Sequence, residues 1–281
     1  MRVIKTPDAL GRWVKEQREQ GRTIGFVPTM GALHEGHLSL IRASRKGSDC
    51  TVCSIFVNPT QFNDPKDLEK YPRDTTRDLR LLDEEGADVV FLPEVEDIYP
   101  KGVKAWVPIE FGHLDSILEG AFRPGHFQGV AQVVSRLLDI VRPDNLYMGQ
   151  KDYQQVAIIR KMLESYPHPP NLQMVPTVRE LHGLAMSSRN QRLSEVDRMR
   201  AGKLFEALVW LRASFREDIP LARALEEGRQ LLDFPGFRLE YLTVCNRADL
   251  SVLYEWGHEG EMVALVACWL GEVRLIDNLP F

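Results

Sequence analysis

Two histidines stand three positions apart in the segment Val27-Pro-Thr-Met-Gly-Ala-Leu-His-Glu-Gly-His37. The segment follows a short apolar run, and we predict that a strand ends there and that a helix begins near His34 after a short loop. A helix N-terminus presents unpaired N–H groups and the positive end of the helix dipole, which suit phosphate. His34 and His37 would then share one face of the first helical turn. Two imidazoles in that place could donate hydrogen bonds to phosphate oxygens as charge builds up in a displacement reaction.

A metal site and an ordinary capped helix are the alternatives for this segment. Zinc proteases space their two helical histidines four apart, with glutamate directly after the first. Here Glu35 is in place but the spacing is three, so the pattern favours phosphate over metal. Gly31 and Gly36 lack side chains, so a ligand could approach the backbone closely, which a plain helix start does not require.

A second polar segment, Met148-Gly-Gln-Lys-Asp-Tyr-Gln-Gln155, follows a predicted strand and opens a predicted helix. Lys151 is a compact positive charge suited to phosphate. Asp152 could bind ribose hydroxyls or cap the helix, and Gln155 could both donate to and accept from a polar substrate. We expect this segment to face the same sheet edge as the histidines, with a solvated helix start as the alternative.

Two serines and an arginine form another candidate phosphate site in Leu184-Ala-Met-Ser-Ser-Arg-Asn190. Ser187 and Ser188 supply hydroxyl donors, and Arg189 can hold phosphate oxygens with a bidentate fork. Taken alone, this segment would be a surface turn before the next helix.

Polar residues also follow the second predicted strand. In Ile55-Phe-Val-Asn-Pro-Thr-Gln-Phe62, Gln61 lies just beyond the end of the strand, and its uncharged amide fits a substrate rich in hydroxyl and carboxylate groups. An Asn-Pro turn explains the preceding residues but not Gln61. Phe122–Val130 carries Arg123 and His126 at the start of a predicted helix. The sequence assigns these two no role, and Arg123 could simply pair with an acidic neighbour.

Strand-length apolar runs alternate with helical patterns in the first part of the chain. The sequence predicts strands over residues 23–27, 49–57, 87–92 and 145–148 and helices over 8–20, 36–44, 75–85, 127–141 and 152–164. Strands that alternate with helices imply βαβ units and a parallel sheet. Such a sheet binds ligands beyond the carboxyl ends of its strands. The predicted fold class is therefore α/β, with a Rossmann-like parallel-sheet N-terminal domain.

The last third of the chain has a different order of elements. Ser194 would cap a helix that continues to about residue 215, with Asp197 in a box-like start, and Pro220 in a first turn would open another to about residue 233. Strand-like runs follow over residues 237–244, 262–270 and 273–276. We therefore predict a smaller α+β C-terminal domain and divide the chain into residues 1–176 and 177–281.

Composition and charge exclude several classes of protein. The chain has 281 residues, 44% of them hydrophobic, and a net charge of −5, which argues against disorder and against a large nucleic-acid surface. No apolar run reaches the ~18 residues of a membrane span, and the N-terminus lacks a signal peptide's apolar core. We expect a cytoplasmic protein without nucleic-acid or membrane partners.

The four cysteines are Cys50, Cys53, Cys245 and Cys268. The CxxC pair at 50 and 53 would suggest zinc or redox chemistry if taken alone. On a strand, however, residues three apart point to opposite faces. We therefore expect four unpaired structural thiols.

Five segments together resemble the pantothenate synthetase (pantoate–β-alanine ligase) family of the HxGH nucleotidyltransferase superfamily. They are PTMGALHEGH at 28–37, FVNPTQF at 56–62, RPGHFQGV at 123–130, MGQKDYQQ at 148–155 and TVRELHGLAMSSRN at 177–190. The last of these resembles the superfamily's mobile phosphate-clamping loop. It departs from the family pattern at His182, where aspartate is expected before the glycine, and we interpret His182 as a turn residue.

The resemblance implies ATP-dependent condensation of pantoate with β-alanine to pantothenate, AMP and pyrophosphate through a pantoyl-adenylate. It implies catalytic roles for His34, His37 (as proton donor), Lys151, Ser187, Ser188 and Arg189. It implies an ATP site formed by Met30, Gly31, Ala32, Leu33, His34, Glu35, Gly36, His37, Gly149, Gln150, Lys151, Asp152, Val178, Met186, Ser187, Ser188 and Arg189. Gln61 and Gln155 would bind pantoate, and Gln61 would also face β-alanine.

The resemblance also implies a homodimer and Mg²⁺ held on the triphosphate, for which no protein ligand is assigned. Because an acyl-adenylate must be kept from water, we expect the C-terminal domain to close over it as a lid.

Two other functions stay open. A nucleotidyltransferase that stops after AMP transfer would need no amine substrate. A non-catalytic nucleotide sensor on the same fold would be expected to lose His34, His37, Lys151 or Arg189, and all four are present. The short acidic chain argues against an aminoacyl-tRNA synthetase.

Overall fold

The computed structural model describes residues 1–62, 68–100 and 108–281. The chain forms two compact units. The N-terminal unit comprises Met1–Gly149 and Gln154–Pro176, and the C-terminal unit comprises Gln150–Tyr153 and Thr177–Phe281. The four residues Gln150–Tyr153 therefore group with the last third of the chain, although their neighbours on both sides belong to the N-terminal unit.

The N-terminal unit contains a parallel sheet. Its strands are β1 (Arg2–Ile4), β2 (Ile24–Thr29), β3 (Cys50–Ile55), β4 (Val89–Phe91), β5 (Asn145–Gly149) and β6 (Asn171–Val175). They lie in the order β1-β4-β3-β2-β5-β6, and each neighbouring pair is parallel. All six residues of β3 are buried, including the polar Thr51 and Ser54, as is typical of a parallel strand covered on both faces. The predicted Rossmann-like parallel sheet is confirmed.

Helices connect these strands. They are α1 (Pro7–Glu19), α2 (Glu35–Gly47), α3 (Thr75–Glu84), α4 (Val95–Ile98), α5 (Glu119–Phe122), α6 (His126–Val141) and α7 (Tyr153–Leu163). Short 3₁₀ turns lie at Pro59–Gln61, Gly112–Asp115, Gln150–Asp152 and Ser188–Arg192. Thr6 caps α1 and Pro7 occupies its first turn, where the missing N–H is harmless. Strand β1 was not predicted, because Arg2 and Lys5 flank Val3 and Ile4 and leave no apolar run of strand length.

The C-terminal unit packs helices on an antiparallel sheet. The helices are α8 (Glu195–Ala201), α9 (Lys203–Arg216) and α10 (Leu221–Gln230), and the strands are β7 (Phe237–Asn246), β8 (Met262–Leu270) and β9 (Val273–Pro280). The sheet order is β7-β8-β9. One apolar core joins α9 and α10 to the sheet, with Leu208, Leu211, Val244 and Val266 among its fully buried members. The predicted smaller α+β part of the chain is confirmed.

Two helix predictions in this unit were wrong in detail. Ser194 does cap a helix, since its Oγ accepts the N–H of Asp197 at 3.1 Å, but the helix breaks at Gly202 instead of continuing to residue 215. A Cβ at Gly202 would lie 2.3 Å from the carbonyl oxygen of His182, so the break accommodates a close backbone contact. Pro220 is the N-cap of α10 and not a first-turn residue, and α10 ends at Gln230.

The four cysteines are buried and unpaired, as predicted. Burial raises the pKa of Cys53 to about 12 and the pKa of Cys268 to about 11. These thiols therefore pack as small apolar side chains. In the described part of the chain, no helix combines the length and apolarity that a membrane crossing requires.

Candidate active site

The two histidines of the HxGH segment lie together at the start of α2. Strand β2 ends at Thr29 and α2 begins at Glu35, with His34 as the N-cap. The N–H of Gly36 donates to Nδ1 of His34 at 3.2 Å. An accepting Nδ1 carries no proton, so neutral His34 holds its proton on Nε2 and can donate from there. The ring of His37 is centred 4.1 Å from the ring of His34, so the structure brings the two imidazoles together.

A buried carboxylate holds the loop that precedes the histidines. The N–H groups of Ala32 and Leu33 each donate to an oxygen of Asp78 at 2.8 Å. The N–H of Gly31 donates to Oγ1 of Thr29 at 3.2 Å. These three N–H groups thus have protein acceptors, so the loop that leads to His34 is held in place by Asp78 and Thr29.

Asp78 itself comes from α3 and is 1% exposed. Burial raises its pKa, while the hydrogen bonds from Leu33 and Ala32 act in the opposite direction. A Cβ at Gly31 would lie 2.9 Å from an oxygen of Asp78, and Gly31 has a φ of +79°, so both the space and the backbone require glycine. Sequence reasoning missed Asp78; its signal was an acid four residues before the buried Leu82 of the same helix.

Gln61 lies in the 3₁₀ turn that follows β3. Its Nε2 donates to Sδ of Met30 at 2.8 Å, and its Oε1 accepts from Nδ2 of Asn58 at 3.4 Å. The buried Asn58 also donates to the carbonyl oxygen of Gly129 at 3.2 Å and accepts from the hydroxyl of Tyr99 at 2.9 Å. The structure therefore joins Gln61 to Met30 of the histidine loop.

His126 gives a structural role to a segment that the sequence left without one. Its Nδ1 lies 2.8 Å from the backbone oxygen of Gln61, and its Nε2 lies 3.1 Å from a guanidinium nitrogen of Arg123. A carbonyl oxygen only accepts and a guanidinium only donates, so these two contacts fit the tautomer that carries its proton on Nδ1. His126 therefore fixes the backbone of the turn that carries Gln61.

Gln155 lies in the first turn of α7, partly exposed, in the N-terminal unit. Its neighbour Gln154 is buried and is hydrogen-bonded to the backbone of the segment 114–119. Oε1 of Gln154 accepts the N–H of Glu119 at 2.9 Å, and Nε2 donates to the carbonyl oxygens of Leu114 and Ile117 at 2.6 and 2.9 Å. Sequence reasoning considered only the outer of these two glutamines.

The remaining candidate residues belong to the C-terminal unit. Nζ of Lys151 lies 3.8 Å from a carboxylate oxygen of Asp152. Ser187 caps the 3₁₀ turn Ser188–Arg192, and its Oγ accepts the N–H of Arg189 at 3.3 Å. His182 is a turn residue, as interpreted from the sequence.

The candidate residues thus divide between the two units. Those of the N-terminal unit are Met30, Gly31, Ala32, Leu33, His34, Glu35, Gly36, His37, Gln61, Gly149 and Gln155, and those of the C-terminal unit are Gln150, Lys151, Asp152, Val178, Met186, Ser187, Ser188 and Arg189. Among the residues that the structure describes, no three His, Cys, Asp or Glu side chains are grouped so as to hold a metal ion.

Comparisons with known proteins cover the whole chain. The model of the pantoate-beta-alanine ligase family matches residues 2–280. The chain is 43% identical over 280 residues to the pantothenate synthetase of Thermosipho melanesiensis, covering 99% of both proteins. It is 44% identical over 283 residues to that of Bacteroides thetaiotaomicron, covering 100% of this chain and 99% of the relative.

Solved structures agree with this assignment. The crystal structure of pantothenate synthetase from Thermus thermophilus is 43% identical and superposes with a TM-score of 0.93, covering 99% of both chains. That of pantoate-beta-alanine ligase from Francisella tularensis, complexed with beta-gamma ATP and beta-alanine, is 36% identical with a TM-score of 0.81, covering 100% of this chain and 97% of that one. Family model, relatives and structures lead to one conclusion: this chain belongs to the pantoate-beta-alanine ligase family.

Proposed function

We propose that this chain condenses pantoate with β-alanine in an ATP-dependent reaction that yields pantothenate, AMP and pyrophosphate through a pantoyl-adenylate. The observation that carries the proposal is family membership along residues 2–280. The Francisella relative, crystallised with beta-gamma ATP and beta-alanine, supports the same two substrates for this chain.

In the first step, a carboxylate oxygen of pantoate attacks the α-phosphorus of ATP. A P–O bond to the acyl group forms, the bond to the β-phosphate oxygen breaks, and pyrophosphate leaves with the bonding electrons. Nε2–H of His34 is oriented by the Gly36 hydrogen bond, which supports a role in stabilising this growing charge. We assign the proton donor role to His37, whose ring centre lies 4.1 Å from that of His34.

In the second step, the amine of β-alanine attacks the acyl carbon of the adenylate. The C–N bond forms, the acyl–oxygen bond breaks so that AMP leaves with the bonding electrons, and the nitrogen releases a proton to solvent. The adenylate has to be protected from water until then. We therefore propose that the C-terminal unit closes over it as a lid; unchanged small-angle scattering on addition of ATP and pantoate would contradict this.

The proposed ligands follow from the family pattern. We assign Gln61 and Gln155 to pantoate and Gln61 also to β-alanine. We assign ATP to the histidine segment Met30–His37, to Gly149–Asp152, to Val178 and to Met186–Arg189. Asp78 is unsuited to a metal because two N–H groups occupy its oxygens, whereas the half-exposed Asp152 leaves room for an ion held mainly by phosphate and water. We therefore propose that Mg²⁺ binds together with ATP and is held mainly by its phosphates. We also propose, from the family resemblance, that the protein is a cytoplasmic homodimer.

The experiment that tests the function follows pyrophosphate and AMP separately, with ATP and Mg²⁺ supplied. With pantoate alone we expect a pyrophosphate burst of about one equivalent per site; AMP turnover should begin only when β-alanine is added. Another acid or a phosphoester replacing pantoate would show that the substrate assignment is wrong. Continuous turnover without an amine would instead favour a nucleotidyltransferase.

A matched pair of histidine variants assigns the chemistry to the site. His37→Gln should abolish or greatly slow the burst, while His168→Gln, at an exposed position outside the candidate residues, should leave it unchanged. A normal burst rate and an unchanged acidic limb of the pH profile in His37→Gln would exclude the proton donor role.

A further inference from the structure

We propose that Asp277 and Asn278, two consecutive residues of β9, are positioning residues that hold the two phosphate-binding segments of the C-terminal unit in one geometry. The inference deepens the proposed function and rests on it, because it takes Lys151 and Ser187–Arg189 as triphosphate ligands. Neither residue of the pair belongs to a segment that the sequence analysis singled out.

Both side chains are polar yet buried, with Asp277 3% and Asn278 0% exposed. Buried polar groups are costly unless they are hydrogen-bonded. Consecutive residues of a strand point to opposite faces, so the two side chains reach different parts of the unit. Asp277 lies on the same face of β9 as Val273 and Leu275, which belong to the core beneath the helices. Asn278 lies on the opposite face.

Asn278 holds the backbone on both sides of Lys151. Its Nδ2 donates to the carbonyl oxygens of Gln150 and of Lys151, each at 2.9 Å. Its Oδ1 accepts from Nε2 of Gln150 at 3.2 Å. Because the two carbonyl groups flank the Cα atom of Lys151, one amide fixes the backbone torsions there. It thereby sets the direction in which the lysine side chain leaves the chain.

Asp277 holds the chain that leads into the second segment, Ser187–Arg189, through its contact with Arg179. The two carboxylate oxygens accept from the two terminal nitrogens of Arg179 at 2.5 and 2.9 Å. The same guanidinium donates to the carbonyl oxygens of Asn278 and Gly183 and lies 3.8 Å from the ring centre of Phe205. Such a bidentate, stacked arginine has little freedom to move.

The backbone carries this anchoring to Ser187. Arg179 pairs with Ala185 in a β-bridge, and the N–H of Met186 donates to the carbonyl oxygen of Val178 at 3.0 Å. The bridge therefore ends directly before Ser187, the cap of the turn that contains Arg189. Adjacent residues of one rigid strand thus fix where both segments begin. Misplacing a phosphate ligand by about 1 Å can lower a rate by about a hundredfold.

The main test compares Asn278→Ala with Leu275→Ala. Leu275 lies on the same strand and contributes only packing, so its truncation controls for lost stability. In the Asn278 variant we expect kcat for pyrophosphate release to fall about 10- to 100-fold and α,β-methylene-ATP to bind about tenfold more weakly. The KM for pantoate should stay within about twofold, since Gln61 is held by Met30 and Asn58 and both Gln61 and Gln155 belong to the N-terminal unit.

Arg179→Lys is the second variant in case Asn278→Ala does not fold. Lysine keeps the charge toward Asp277 but cannot hold both oxygens in a fork, so kcat should fall with an unchanged KM for pantoate. Folded variants that match Leu275→Ala in kcat and in analogue binding would overturn the proposal. If the wild-type chain releases no pyrophosphate with pantoate but the variants still bind the analogue more weakly, the proposed function fails and the positioning role stands.

Discussion

A single methyl group at Gly129 tests whether α6 holds the turn that carries Gln61. A Cβ there would lie 2.4 Å from the carbonyl oxygen of Thr60 and 3.0 Å from Cα of Gln61. Ordinary contact begins near 3.4 Å, so the turn has to move by about 1 Å. Both obstacles are backbone atoms, which cannot rotate away.

Gly11 provides a matched control for the effect of Gly129→Ala on the free energy of unfolding. Gly11 lies inside α1 with nothing within 4 Å of its Cβ position, so Gly11→Ala should stabilise the protein by about 1 kcal/mol through helix propensity alone. Gly129→Ala gains the same propensity but loses about 1–3 kcal/mol to overpacking. We therefore expect the free energies of unfolding of the two variants to differ by about 1–3 kcal/mol.

Activity gives the more direct measurement. A shift of about 1 Å at Gln61 should lower kcat/KM for pantoate by about a hundredfold, with little change in the KM for ATP. Gly11→Ala should match the wild-type enzyme in both. Urea denaturation and the pyrophosphate assay measure the two effects. If Gly129→Ala is as stable as Gly11→Ala and keeps its kcat/KM for pantoate within twofold, the proposed link from α6 to Gln61 is refuted.

Three further predictions concern buried groups. Asp78→Ala leaves the N–H groups of Ala32 and Leu33 without their acceptor, so we expect the free energy of unfolding in urea to fall by about 2–6 kcal/mol. The control is Asp83→Asn on the same helix, whose side chain is 65% exposed. An equal loss in the control would contradict the role of Asp78 in holding the loop. Because burial raises the pKa of Asp78, the folded state keeps this proton to higher pH than the unfolded state does. The stability that this proton contributes is present below the ordinary pKa of 3.8 and is lost as pH rises through the pKa of the folded state. Asp78→Asn should therefore gain stability relative to the wild type over that pH interval. Curves of unfolding free energy against pH that stay parallel for the two proteins would refute the raised pKa. Since the pKa of Cys53 is raised to about 12 and all four thiols are buried, a disulfide reagent at about pH 8 should label none in the native protein and four after denaturation, and rapid native labelling with loss of activity would contradict this.

The parts of the fold that could be predicted are those with a long local pattern. The strand Met262–Leu270 was predicted to the residue, because nine consecutive apolar residues stand between Glu261 and Gly271. The helix Thr75–Glu84 was predicted within one residue, since an apolar period and a closing Gly86 mark it. The break at Gly202 could not be predicted, because its cause is the backbone of His182, twenty residues earlier in the chain.

The same distinction applies to the candidate site. The motifs that carry His34 and Lys151 are contiguous, so the sequence displays them. The residues that hold these motifs are distant: Asp78 lies 46 positions from Ala32 and Asn278 lies 127 positions from Lys151. The spacing of Asp78 from Leu82 indicates a buried acid, but neither Asp78 nor Asn278 carries a local sign of the groups that it contacts.

The grouping of Gln150–Tyr153 with Thr177–Phe281 bears on how the chain can be cut and recombined. A fragment that starts at residue 177 would leave the amide of Asn278 without its carbonyl acceptors, and a fragment that stops at residue 176 would leave Lys151 without that amide. The two units are therefore not exchangeable modules. A chimaera that replaces Thr177–Phe281 with the corresponding part of a relative has to exchange Gln150–Tyr153 as well, although these four residues are encoded within the N-terminal unit.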